Sequence, residues 1–126
     1  MSETQTSLAQ ALGLTRPKQS GAPHWRGQRL SALILAPLML WFIVSALGLV
    51  GADHYIFVKW LSSPINTSLM VLLVATIFFH SQQGMKVIVE DYIHDVVLKR
   101  AALFLVKAFA YIGVLSSLLA IFLIAF

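Results

Sequence analysis

The sequence predicts an all-α integral membrane protein with three transmembrane helices, and three observations lead there. Of the 126 residues 59% are hydrophobic and only 11% are charged. Together with a mean hydropathy of +0.84, that composition is far too apolar for a soluble domain of this length. The apolar residues gather into runs of the length that crosses a hydrocarbon core, which takes about 20 helical residues. Basic residues are left mostly on one side of those runs, as the topology of membrane proteins requires.

Residues 1–29 form a polar cytoplasmic segment. Pro17, Gly21 and Pro23 read as breakers, and Leu8, Leu12 and Leu14 make a short apolar patch for a helical turn or two at the membrane interface. The segment lacks the apolar stretch of a signal peptide, and Glu3 with no arginine before Arg16 argues against a mitochondrial transit sequence. An anchor domain over residues 30–126 follows. Its first span, about residues 30–50, contains Pro37, which is expected to bend the helix, with a hydroxyl such as that of Ser31 to compensate a freed carbonyl. Residues 51–63 read as an interfacial loop, since Tyr55, Phe57 and Trp60 accompany Asp53, His54 and Lys59. Pro64 suits a first helical turn, and the second span runs over about residues 65–89. The third occupies about residues 101–126.

Arg16, Lys18, Arg26 and Arg29 precede the first span, Lys99 and Arg100 lie between the second and third, and Lys59 alone is on the other side. The expected orientation is therefore N-terminus in, C-terminus out. The chain has no cysteine, so it can hold neither a thiolate-ligated iron–sulfur cluster nor a disulfide. Any such cluster belongs to a partner. No flavin and no nucleic-acid partner are expected of this chain.

Chemistry concentrates in residues 80–92, HSQQGMKVIVEDY. On one helix, at about 100° and 1.5 Å per residue, His80, Gly84, Val87 and Asp91 share a stripe, with Asp91 about 16 Å beyond His80. His80 follows the apolar run 65–79, and an ionisable side chain in a membrane span is by default a functional candidate. Gly84, one turn on, removes a side chain beside the imidazole and leaves room for a flat, bulky group such as a haem. From position alone, His80 reads either as a haem ligand or as one half of an interhelical hydrogen bond to a hydroxyl or carbonyl.

The remaining residues divide in the same way. Tyr92 is either a ring at headgroup level or a contact to a ligand. Asp91 either ends its helix in water and pairs with a nearby cation, or tunes the phenol and relays a proton. Arg29 is an ordinary snorkelling anchor or a guanidinium that grips a carboxylate through two parallel hydrogen bonds. Lys107 reads as a snorkelling residue of the third span, and His54 and His94 as loop histidines without a role.

His80, Gly84 four residues later, then Asp91 and Tyr92, behind an N-terminal segment that ends in Arg29, resemble the signature of the succinate dehydrogenase (complex II) hydrophobic membrane-anchor subunit, D-type. The resemblance implies that His80 is an axial ligand of haem b, with Gly84 packing against the ring and Arg29 pairing with a propionate. It implies that Asp91 and Tyr92 line the ubiquinone pocket and that Tyr92 donates a hydrogen bond to a quinone oxygen. Three helices do not close a four-helix haem bundle, and His80 is the one histidine placed in the membrane, so a second axial ligand has to come from another subunit. The implied partners are a second membrane-anchor subunit of the cytochrome b, C-type kind, an iron–sulfur subunit and a flavoprotein subunit, in a bacterial inner membrane.

The activity so implied is succinate:ubiquinone oxidoreduction, which joins the tricarboxylic acid cycle to the respiratory chain. This chain would catalyse no bond change on succinate. Three other readings stay open at this point. They are the equivalent anchor of a quinol:fumarate reductase, a cofactor-free membrane subunit in which His80 and Asp91 carry protons, and a scaffold with no chemical role.

Overall fold

The computed structural model describes the backbone of residues 12–126 and side chains from residue 26 onward. The chain parts into two units between Leu30 and Ser31. Among the described residues four helices are formed, α1 (Leu12–Gly48), α2 (His54–Leu61), α3 (Pro64–Tyr92) and α4 (Val96–Ala125). Among the described residues there is no β-strand.

Among the described residues three segments are long and apolar enough to cross a membrane, Arg26–Gly48, Pro64–Tyr92 and Val96–Ala125. These lie where the apolar runs predicted spans. The N-terminal part of α1 is a correction. Pro17, Gly21 and Pro23 were expected to break the chain, yet all three lie within the helix. A proline removes one hydrogen bond and crowds the carbonyl four residues back, but its fixed φ is itself helical, so a helix can pass through it with a local defect. The same holds at Pro37.

The loop expected over residues 51–63 contains α2. Gly51 takes φ +83° to turn the chain after α1, a conformation that side chains with a Cβ avoid. Asp53 then caps α2, its carboxylate accepting from the Ile56 amide at 2.9 Å, and so satisfies one of the orphan donors of a helix start. At the other end, Asn66 Nδ2 donates to the Trp60 carbonyl at 2.9 Å and the Thr67 hydroxyl donates to the Leu61 carbonyl. Both acceptors are last-turn carbonyls that α2 itself leaves unbonded. The first turn of α3, opened by Pro64, is thereby tied to α2.

The third span starts earlier than the run 101–126 predicts. Asp95 accepts from the Val97 amide at 3.3 Å and caps α4, which adds Val96 to Arg100 to the helix. Helices α3 and α4 pack most closely, with α2 against both. Their approach depends on Gly113 of α4, where a Cβ would overlap the Phe78 ring of α3. Small residues serve this purpose between membrane helices, where dispersion contact replaces the hydrophobic drive.

Helix α1 meets the other helices through side chains. Trp41 stacks on Trp60 of α2, ring centroids 5.8 Å apart and planes 18° from parallel. Toward the other end of the span, Ser31 meets α3. Each span buries only 11% of its most apolar window, so nearly all of its apolar surface is turned to lipid or to other protein.

Candidate functional site

Helix α3 is unbroken from Pro64 to Tyr92, so His80, Gly84, Val87 and Asp91 do share the stripe that periodicity predicts. Position along that helix separates two environments. His80 and Gly84 are half-buried, whereas Lys86, Glu90, Asp91 and Tyr92 are exposed. The charged last turns mark where the helix leaves apolar surroundings.

His80 Nδ1 and Ser31 Oγ lie 3.0 Å apart in a hydrogen bond that joins α3 to α1 across 49 residues of sequence. The donor is set by the imidazole tautomer. Ser31 is buried, at 5% exposure, so the bond is shielded from competing water. Among the described residues, Nδ1 is the only ring nitrogen of His80 with a hydrogen-bond partner. The pairing also sets His80 level with the second residue of the apolar run that begins at Leu30, near the end of the first span.

A haem would be ligated through one imidazole nitrogen while the other is held by a hydrogen bond. A half-buried histidine with Nδ1 engaged and the other nitrogen facing no described partner has that form, so the residues fit the group. Among the described residues no cluster of three His, Cys, Asp or Glu side chains could hold a bare metal ion. A haem needs only a single protein ligand on each face of its iron.

Asp91 and Tyr92 occupy the last turn of α3. Tyr92 is 77% exposed, and neither side chain is bonded to another described residue. They are neighbours in sequence but point about 100° apart around the axis. His80 is about 18 Å from Tyr92 along the helix, so the chain holds two separate places rather than one cluster. Arg29 is exposed and lies in the first of the two units.

Sequence reasoning passed over Gln83. It lies one turn from His80 on nearly the same face, and its Oε1 is buried without a hydrogen-bond partner among the described groups. Its signal was a second polar residue on the stripe, hidden within the run SQQ. On the far side of α3, a cavity of about 750 Å³ opens between α3 and α4, lined by Phe78, Gln82, Met85, Leu105 and Phe109. It does not include His80 or Asp91.

A three-span helical membrane subunit with, among the described residues, one half-buried histidine and a polar helix end defines the class. The chain matches the family described as succinate dehydrogenase/fumarate reductase transmembrane subunit over residues 2–115, and it belongs to that family. Among its relatives, the succinate dehydrogenase hydrophobic membrane anchor subunit of Rickettsia bellii is 32% identical over 108 residues, 86% of each chain. That of Rickettsia prowazekii is 32% identical over 104 residues, 82% of this chain and 83% of the relative. The succinate dehydrogenase membrane anchor subunit of Reclinomonas americana is 30% identical over 95 residues, 73% of this chain and 79% of the relative. No solved structure matches the chain.

Proposed function

We propose that this chain is the membrane-anchor subunit of a succinate:ubiquinone oxidoreductase, with His80 an axial ligand of haem b and Tyr92 and Asp91 at the quinone pocket. The observation that carries the site assignment is the Ser31–His80 bond, which engages one imidazole nitrogen at a half-buried position within a membrane span. The family description covers fumarate reductases as well, but the relatives' names all give succinate dehydrogenase. That favours succinate oxidation as the physiological direction.

Each residue then has a task. His80 supplies an imidazole nitrogen to iron, and Gly84, without a side chain, leaves the ring edge room. Arg29 is suited to a propionate, which a guanidinium can grip bidentately. A haem, when bound, would supply a one-electron store. Tyr92 donates its phenolic proton in a hydrogen bond to a quinone oxygen and so orients it. Asp91, exposed on the same turn, accepts a proton from water and hands it toward the reduced oxygen.

The mostly unburied spans leave surface for a second, cytochrome b-type anchor subunit to supply the other axial ligand. A flavoprotein subunit and an iron–sulfur subunit dock at the end where Asp91 and Tyr92 emerge, and the complex sits in a bacterial inner membrane. Purification through a tag on this chain tests the reading. The account expects the flavoprotein and iron–sulfur subunits to co-purify with succinate-dependent ubiquinone reduction, and a tagged chain recovered without either would contradict it.

A further inference from the structure

We infer that Ser31 is a positioning residue for His80, a buried hydroxyl whose oxygen accepts a hydrogen bond from Nδ1–H and so presents the opposite nitrogen, Nε2, to iron. The inference rests on the haem reading above and goes beyond it by assigning a second residue, on a different helix, and a tautomer.

Three observations carry it. The Oγ to Nδ1 distance is 3.0 Å and the pair bridges two helices, so the ring is tethered at one nitrogen from outside its own helix. Ser31 is buried, and a hydrogen bond lost in such surroundings is not replaced by water. The third observation concerns where helical serines in this chain send their protons. Ser68 donates to the Pro64 carbonyl at 2.7 Å and Ser116 to the Ile112 carbonyl at 2.7 Å, each one turn back along its own helix, the usual outlet for a helical hydroxyl. On the same pattern Ser31 would send its proton back along α1, leaving an Oγ lone pair to accept a hydrogen bond from Nδ1–H. Neutral imidazole has one N–H and one lone pair, so the lone pair falls on Nε2.

Two consequences follow for the imidazole. Its rotation about the Cβ–Cγ bond is restricted before any ligand arrives, and the acceptor on the far nitrogen strengthens Nε2 as a donor to a metal. A tethered ligand of stronger donation retains iron more strongly and favours the ferric state. Loss of the acceptor weakens both effects.

The test uses the whole complex purified from membranes, with Ser31→Ala, Ser31→Thr and His80→Ala variants of this chain. Ser31→Ala is expected to lose haem to excess apomyoglobin with an affinity reduced about 10- to 100-fold, to raise the haem midpoint potential, and to shift the ferric low-spin resonance in electron paramagnetic spectra. Ser31→Thr, which keeps the hydroxyl, restores all three. Native retention, potential and resonance in Ser31→Ala, alongside loss of the b-type spectrum in His80→Ala, would overturn the inference while leaving the haem reading intact. A b-type spectrum unchanged in His80→Ala would overturn the haem reading itself, and this inference with it. Should Ser31→Ala fail to assemble, Ser31→Cys keeps the volume with a much weaker acceptor. Raised potential and poorer retention in that variant support the role, and native values overturn it.

Discussion

The two sides of α3 are built on different principles. Toward α4 the contact is close and apolar, with the Phe78 ring seated where a Cβ at Gly113 would be. Toward α1 the contact is polar, the Ser31–His80 hydrogen bond. Phe78 and His80 are two residues apart and so point to nearly opposite sides of the same turn. The lesson is a division of labour at one level of one helix, where the α4 side fixes the position of α3 by apolar contact and the α1 side holds the imidazole by a hydrogen bond. A site built on one helix needs both, a fixed backbone and a held side chain.

Substitutions on each side sharpen the contrast. Gly113→Leu forces a side chain into the Phe78 ring, and overpacking of this kind costs about 1–3 kcal/mol. Its expected outcome is a lower thermal midpoint for the detergent-solubilised complex, with the haem and quinone sites both suffering because α3 itself moves. Trp60→Leu removes the stack on Trp41 that ties α1 to α2, worth about 0.5–1.5 kcal/mol. It lowers the midpoint without a change in the haem spectrum, since the stack belongs to the other end of the span.

Smaller effects are confined to single groups. Tyr92→Phe deletes one hydrogen bond to substrate, about 1 kcal/mol, and lowers the rate of quinone reduction about fivefold, with the spectrum and stability unchanged. An equal loss of haem in that variant would mean that the two places on α3 are coupled. Asp53→Ala, which removes the cap of α2, costs about 0.5 kcal/mol and affects neither spectrum nor turnover. A thermal scan paired with a turnover assay checks both.

The spans were legible because nothing but their length and apolarity was needed to find them. The stripe from His80 to Asp91 was legible because α3 is unbroken, so simple periodicity applied. Helix α2 was missed as a helix although Asp53, three residues before Ile56, is a readable capping signal. Eight residues are too few for a periodic pattern to stand out. Asp95 before Val96–Val97 was a similar signal for the start of α4, obscured by the charges at Lys99 and Arg100. Pro17, Gly21 and Pro23 misled because breaker residues report propensity, which a continuous helix can override. An interhelical hydrogen bond for His80 was one of two readings open in the sequence, but its partner was not legible. No local rule joins residues 31 and 80, and Ser31 had been read as relief for Pro37. The structure joins them, and it also makes the two readings of His80 compatible, since a hydrogen bond at Nδ1 leaves Nε2 for iron.

The central claim is that this chain contributes a haem ligand from α3, and the most direct measurement is a reduced-minus-oxidised absorption spectrum of the purified complex with native chain and with His80→Ala. The account predicts a b-type spectrum in the native complex that is lost or displaced in the variant, with flavoprotein and iron–sulfur subunits still bound. An identical spectrum in the two complexes would contradict it and leave the chain a membrane anchor without a share in the haem.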